Sequence, residues 1–171
     1  METKPTSPAI KGIMISLVLI VFSLVLEFMG QSQNKGLGSI GLLFFVVGII
    51  WGCILYAKQL DGNVTFGNVF ADGFKTSAAV TAIMVVFVII SLKLLFPETI
   101  DKAMEIAQKE MTAKNMPEDQ METGMNITRK FFTPIVVGAT LFTYLAVGAI
   151  ASLIGAGVAK KNPRDPFTQQ G

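Results

Sequence analysis

The chain contains no histidine, so the commonest metal ligand and the usual neutral-pH proton carrier are both missing. A single cysteine, Cys53, cannot close an intramolecular disulfide, and there is no CxxC pair. Charge is scarce too: 15% of the 171 residues are Asp, Glu, Lys or Arg, where soluble domains carry about 25%. The formal net charge is only +2, and no Lys/Arg stripe interleaves with aromatics, so nothing recommends a nucleic-acid partner. Paired carboxylates, a Ser/His/Asp set, a phosphate-cradling loop and zinc-ligand spacing are also lacking. Gly36-Leu37-Gly38-Ser39-Ile40-Gly41 satisfies GxGxxG as a string, but it opens an apolar run and does not follow a strand. The expectation is a non-enzymatic chain with no catalytic residue, cofactor or metal.

What the sequence has in quantity is long uncharged apolar runs, with 51% hydrophobic residues and a mean hydropathy of +0.58. The run from Gly36 to Ala57 would extend about 33 Å as a helix, enough for a ~30 Å hydrocarbon core. Four such spans are expected, at about 10–29, 37–57, 77–96 and 135–159. The first is too long for a cleaved signal core and reads as a retained span. Pro97 ends the third, and Thr133-Pro134 reads as the start of the fourth. Residues 1–8 read as a disordered polar arm and 162–171 as a polar tail. The predicted fold is a single all-α domain: a four-helix transmembrane bundle with a short interfacial helix (65–75) and a helical loop (97–130). In that loop Ile100, Ala103, Met104, Ala107 and Met111 recur at helical spacing, and Pro117 implies a break into a second helix.

Helices in lipid gain little from apolar burial against one another, so close approach through small residues four apart must hold them. Gly12/Ser16, Gly48/Gly52, Ala78/Ala82 and the overlapping series Gly148, Ser152, Ala156 and Ala151, Gly155, Ala159 supply candidates. An even number of spans places both termini on one side. Basic residues tie at seven on each side, but those on the terminal side crowd the span ends, which points to cytoplasmic termini.

Between spans two and three, Phe66, Phe70 and Phe74 fall at i, i+4 and i+8 with Gly67 and Gly73 among them, behind Thr65 as N-cap. The plain reading is an aromatic anchor lying in the interface, and a ligand-binding role is the other. The pattern Thr-Phe-Gly-x-x-Phe-x-x-Gly-Phe resembles that of small four-span bacterial membrane proteins grouped as domain of unknown function 4199. Further likeness runs from Ala9 to Lys161: a helical hairpin, a proline closing span three, a charged helical loop, and a Gly/Ala-rich last span ending on lysines. The resemblance implies a fold and an inner-membrane location, and no activity. Phe96 stands before Pro97 where many relatives are expected to carry an aspartate.

Glu27 and Lys93 are the ionisable residues inside apolar runs, and such residues are functional candidates by default. Independent snorkelling to the interface is the simpler account, and an ion pair between spans one and three the sharper one. The methionines of the 97–130 loop suit adaptable packing better than Cu(I) ligation, having no histidine or cysteine beside them. The leading functional expectation is a structural, regulatory or interaction role, with the lipid bilayer and a membrane-protein partner or a homo-oligomer as contacts. The alternative is a subunit of an oligomeric channel or transporter, lined by Thr81, Thr140, Thr143, Tyr144 and Ser152.

Overall fold

The computed structural model describes residues 4–162; residues 1–3 and 163–171, which include most of the expected polar tail, lie outside it. Among the described residues there is no strand. The helices are α1 (Pro8–Phe28), α2 (Lys35–Gln59), α3 (Phe66–Ile90), α4 (Glu98–Ala113) and α5 (Glu118–Val158), and a π-helical turn, Ser91–Leu95, continues α3. Pro8–Phe28, Gly36–Gln59, Phe66–Leu95 and Glu118–Val158 are long and apolar enough to cross a membrane. Helices satisfy their own backbone groups where lipid offers none, and the chain is an all-α multi-pass membrane protein.

The ends follow from local chemistry. Ser7 caps α1 by accepting from the Ile10 N–H at 3.3 Å, and Pro8 fills the first turn, where its missing N–H costs nothing. The arm ahead of it is not loose. Thr6 N–H donates to Gln59 Oε1, and Gln59 Nε2 donates back to Thr6 Oγ1, both at 2.8 Å. For Lys4–Ser7 the expectation of disorder is therefore corrected: a reciprocal pair ties the arm to the end of α2.

Two expected boundaries also move. Thr65 does cap α3, its Oγ1 accepting from the Asn68 N–H at 3.2 Å. Residues 65–75, however, form no separate interfacial helix; Phe66–Lys75 are the first turns of α3, because nothing between Lys75 and Ala78 breaks the ladder. At 30 residues, α3 with its π turn is about 45 Å long, so it overshoots a ~30 Å core by several turns. Pro134 does not start the last helix either. It lies inside the 41-residue α5, whose first turn is Glu118 and Asp119. Membrane helices tolerate an internal proline because neighbouring groups take up the freed carbonyl.

The chain forms two compact units: one holds residues up to Ile83 and from Phe142 onward, the other is Met84–Leu141. In the first, four buried stripes meet. They are Lys11, Gly12, Ile15, Ser16 and Leu19 on α1; Phe45, Ile49, Gly52, Cys53 and Ala57 on α2; Val69, Asp72, Gly73, Thr76, Ser77, Val80 and Thr81 on α3; and Gly148, Ala151, Ser152, Gly155 and Ala156 on α5. A Cβ on Gly12 would stand 2.7 Å from that of Ala79, so α1 and α3 touch almost backbone to backbone. A Cβ on Gly155 would meet the Cys53 side chain at 2.8 Å, and one on Gly148 would strike Ser77. Small residues thus set the helix separation, as expected for packing in lipid. The pair Ala78/Ala82 is corrected: both are exposed, and the buried register is Ser77/Thr81, one residue and about 100° away.

The second unit is built on an antiparallel hairpin of α4 and the first half of α5. Met104 is buried, while Ile100, Ala103, Ala107 and Met111 are half-buried, so the predicted apolar face of α4 is the one turned inward. Thr112 Oγ1 lies 3.9 Å from Met121 Sδ, and at the other end Arg129 pairs with Asp101 at 2.7 Å.

Candidate functional site

The most unusual group in the first unit is an ion pair inside it. Lys11 is 0% exposed and Asp72 is 6% exposed, and the Lys11 ammonium donates to Asp72 Oδ2. The same Nζ lies 3.4 Å from the Gly52 carbonyl oxygen and 5.3 Å from the centroid of the Tyr56 ring. A Cβ at Gly52 would stand 3.6 Å from Lys11 Cδ, at ordinary van der Waals contact, so the lysine stem packs directly along α2. One ammonium therefore engages α2 through a carbonyl and a ring face, and α3 through a carboxylate.

Helix phase explains how Lys11 and Asp72 reach each other. Lys11 shares the buried face of α1 with Gly12, Ile15 and Ser16, at the spacing of successive turns. Asp72 stands one residue before Gly73 on the inward stripe of α3, and the Thr76 hydroxyl donates to the Asp72 carbonyl at 2.9 Å. Asp72 is about 9 Å along α3 from its start, and Gly52 about 10 Å from the end of α2, so the pair sits about two turns inside the ends of both helices. Beside it Cys53 is fully buried, with Sγ 3.8 Å from the Val69 carbonyl. Gly73 is closed in by Cys53 and Ser152. Ser16 Oγ, on the Lys11 face, is buried with no hydrogen-bond partner among the described residues.

The residues singled out from sequence lie elsewhere, with one exception. Gly73 faces the buried pair's surroundings, whereas Gly67 is exposed and uncrowded. Phe70 and Phe74 stack with centroids 6.0 Å apart, Phe66 and Phe74 are exposed, and Lys161 lies over the Phe66 ring at 5.6 Å. Glu27 is half-buried near the end of α1. Lys93 is exposed on the π-helical turn and belongs to the other unit. Sequence reasoning missed Lys11, which is one of the basic residues near a span end, and Asp72, which lies within a motif read for its phenylalanines. The available signal was position: Lys11 lies on the same face as the small pair Gly12/Ser16.

Chemically, a closed Lys–Asp pair with a carbonyl and a ring around it ties three helices together at one point. It holds charge without exposing it. Among the described residues no three His, Cys, Asp or Glu side chains gather as a metal site. No curated protein and no solved structure matches the chain. The family described as "Protein of unknown function (DUF4199)" matches residues 11–161, a stretch that begins on Lys11 and takes in Asp72 and nearly all of the four long apolar helices; this chain belongs to that family.

Proposed function

We propose that the protein works by contact and catalyses nothing, and that its α4–α5 hairpin receives a basic amphipathic segment of a partner protein. The observation that carries this is a groove of about 780 Å³ in the second unit, rimmed by Glu118, Asp119 and Glu122 and floored by Met121 and Met125. Thioether side chains adapt to varied apolar surfaces, and an acidic rim selects for Lys and Arg on the incoming helix. The protein resides in the inner membrane with cytoplasmic termini, a reading supported by Lys58, Lys160 and Lys161 at the span ends. The alternative of an oligomeric channel has weaker support. The Thr81, Thr140 and Ser152 hydroxyls, which would line a pore, donate instead to carbonyls one turn back on their own helices at 2.8, 2.8 and 2.6 Å.

The test is titration of the detergent-solubilised protein with a labelled Lys/Leu amphipathic peptide and with its Glu/Leu counterpart. The basic peptide should bind in a salt-sensitive manner, and Glu118→Lys with Glu122→Lys should abolish binding while the melting curve is retained. Equal binding of both peptides, or no effect of the substitutions, would rule the groove out.

A further inference from the structure

At the terminal-side end of the first unit is a second cavity, about 500 Å³, bounded by Ile54, Lys58, Asp61, Gly62, Lys160 and Asn162. Its walls are held by backbone. Gly62 has φ +74°, which turns the chain between α2 and α3, and its carbonyl accepts from the Asn162 N–H at 2.7 Å. That bond fixes the segment after α5 against the turn.

Three lysines cluster here, and they are not equivalent. Lysines beyond helix ends ordinarily offset the partial negative charge of the last carbonyls. Lys161 does this for α5, donating to the Ala156 and Ala159 carbonyls. Lys58, in the last turn of α2, and Lys160 face the cavity, both exposed and neither in an ion pair among the described residues. Asp61 on the same wall lowers the lining to one net positive charge, which suits a monoanion better than a dianion.

Below Lys58 the outer face of α2 is apolar. Trp51 precedes Lys58 by seven residues, so it lies on nearly the same face about 10 Å deeper. It is 47% exposed, with Val47 at 56% beneath it and Ile54 at 42% between. Trp51 and Val47 also line a mainly apolar groove of about 320 Å³ between α1 and α2. A positive cavity at headgroup level above a greasy track has the layout of a phosphodiester lipid.

We propose that this cavity binds the headgroup of a monoanionic phospholipid, with Lys58 and Lys160 on its phosphate and an acyl chain running down α2 past Trp51. Trp51 is the sole tryptophan, so it reports on the track without interference. The experiment reconstitutes the full-length protein in phosphatidylcholine vesicles containing a minor fraction of chain-brominated phosphatidylglycerol or chain-brominated phosphatidylcholine. Brominated phosphatidylglycerol should quench Trp51 at a several-fold lower fraction than brominated phosphatidylcholine. In Lys58→Gln/Lys160→Gln, compared at unchanged melting temperature, the two lipids should become equal. Asp61→Asn, which keeps both lysines, should widen the preference and serves if the double variant does not fold. Equal quenching in the wild-type protein overturns the proposal. So does loss of the preference on adding inorganic phosphate or glycerol phosphate, because the site would then take a soluble anion.

Discussion

Two ion pairs among the described residues show how far burial alters the value of one interaction. Asp101–Arg129 spans 2.7 Å with side chains about two-thirds exposed, 65% and 67%. Exposed pairs contribute roughly 0–1 kcal/mol, so Asp101→Asn should leave the melting curve almost unchanged. Lys11–Asp72 is buried, and removing one partner strands the other's charge, at a cost of about 3–5 kcal/mol. Lys11→Met or Asp72→Asn should therefore lower the melting temperature sharply in detergent. Replacing both, as Lys11→Met with Asp72→Leu, should recover most of the loss, since apolar substitutes of similar volume are often neutral. Singles that melt like wild type would show that the pair is solvated. A stable double variant that still fails to complement a deletion strain would mark the pair as functional as well as structural. This pair was hard to see in the sequence because charge was judged by its distance from span ends. Glu27 and Lys93 stood out as charges in greasy runs, but Lys93 is simply exposed. Lys11 looked like a flank, and only the helical phase it shares with Gly12 and Ser16 distinguishes it.

At the level of the helix, hydropathy and breakers carried most of the information. The spans, the cap at Thr65, the end of the third span before Pro97 and the inward face of α4 were all legible, since each depends on local composition or on a single residue's backbone limits. Phe96, held ahead of the proline at φ −139°, is the first residue out of the helical turn. Continuity was not legible. An aromatic, glycine-containing stretch such as Phe66–Phe74 reads as an interfacial piece, yet α3 runs through it because Thr76 and Ser77 face the interior and nothing interrupts the backbone. Pro134 likewise reads as a start and is an interior residue of α5. The α1–α3 crossing supplies the prediction at this scale. Ala79 Cβ has no freedom to withdraw from a new methyl at Gly12, so Gly12→Ala must push the helices apart. Overpacking of this kind costs about 1–3 kcal/mol. Thermal melts should show that loss, while Gly67→Ala, in open surroundings, should show far less.

For the molecule as a whole, the membrane decides which surfaces are right. The outward residues of α1, among them Leu17 at 63% and Val21 at 54%, would be liabilities in water and are ordinary in lipid. The protein should sediment with membranes and stay there through alkaline carbonate washing. Reporter fusions at Met1 and Gly171 should report the same face, the cytoplasmic one under the orientation proposed above, and opposite behaviour of the two would refute four crossings. The sole thiol, Cys53, extends this into a practical property. It is wedged where side chains added at Gly73 or Gly155 would collide with it, so no labelling reagent reaches it while the helices are together. Nature has thus left the chain with one silent chemical handle. Cysteines introduced at outward sites will be tagged alone, and the moment Cys53 itself becomes reactive is the moment the helices have parted.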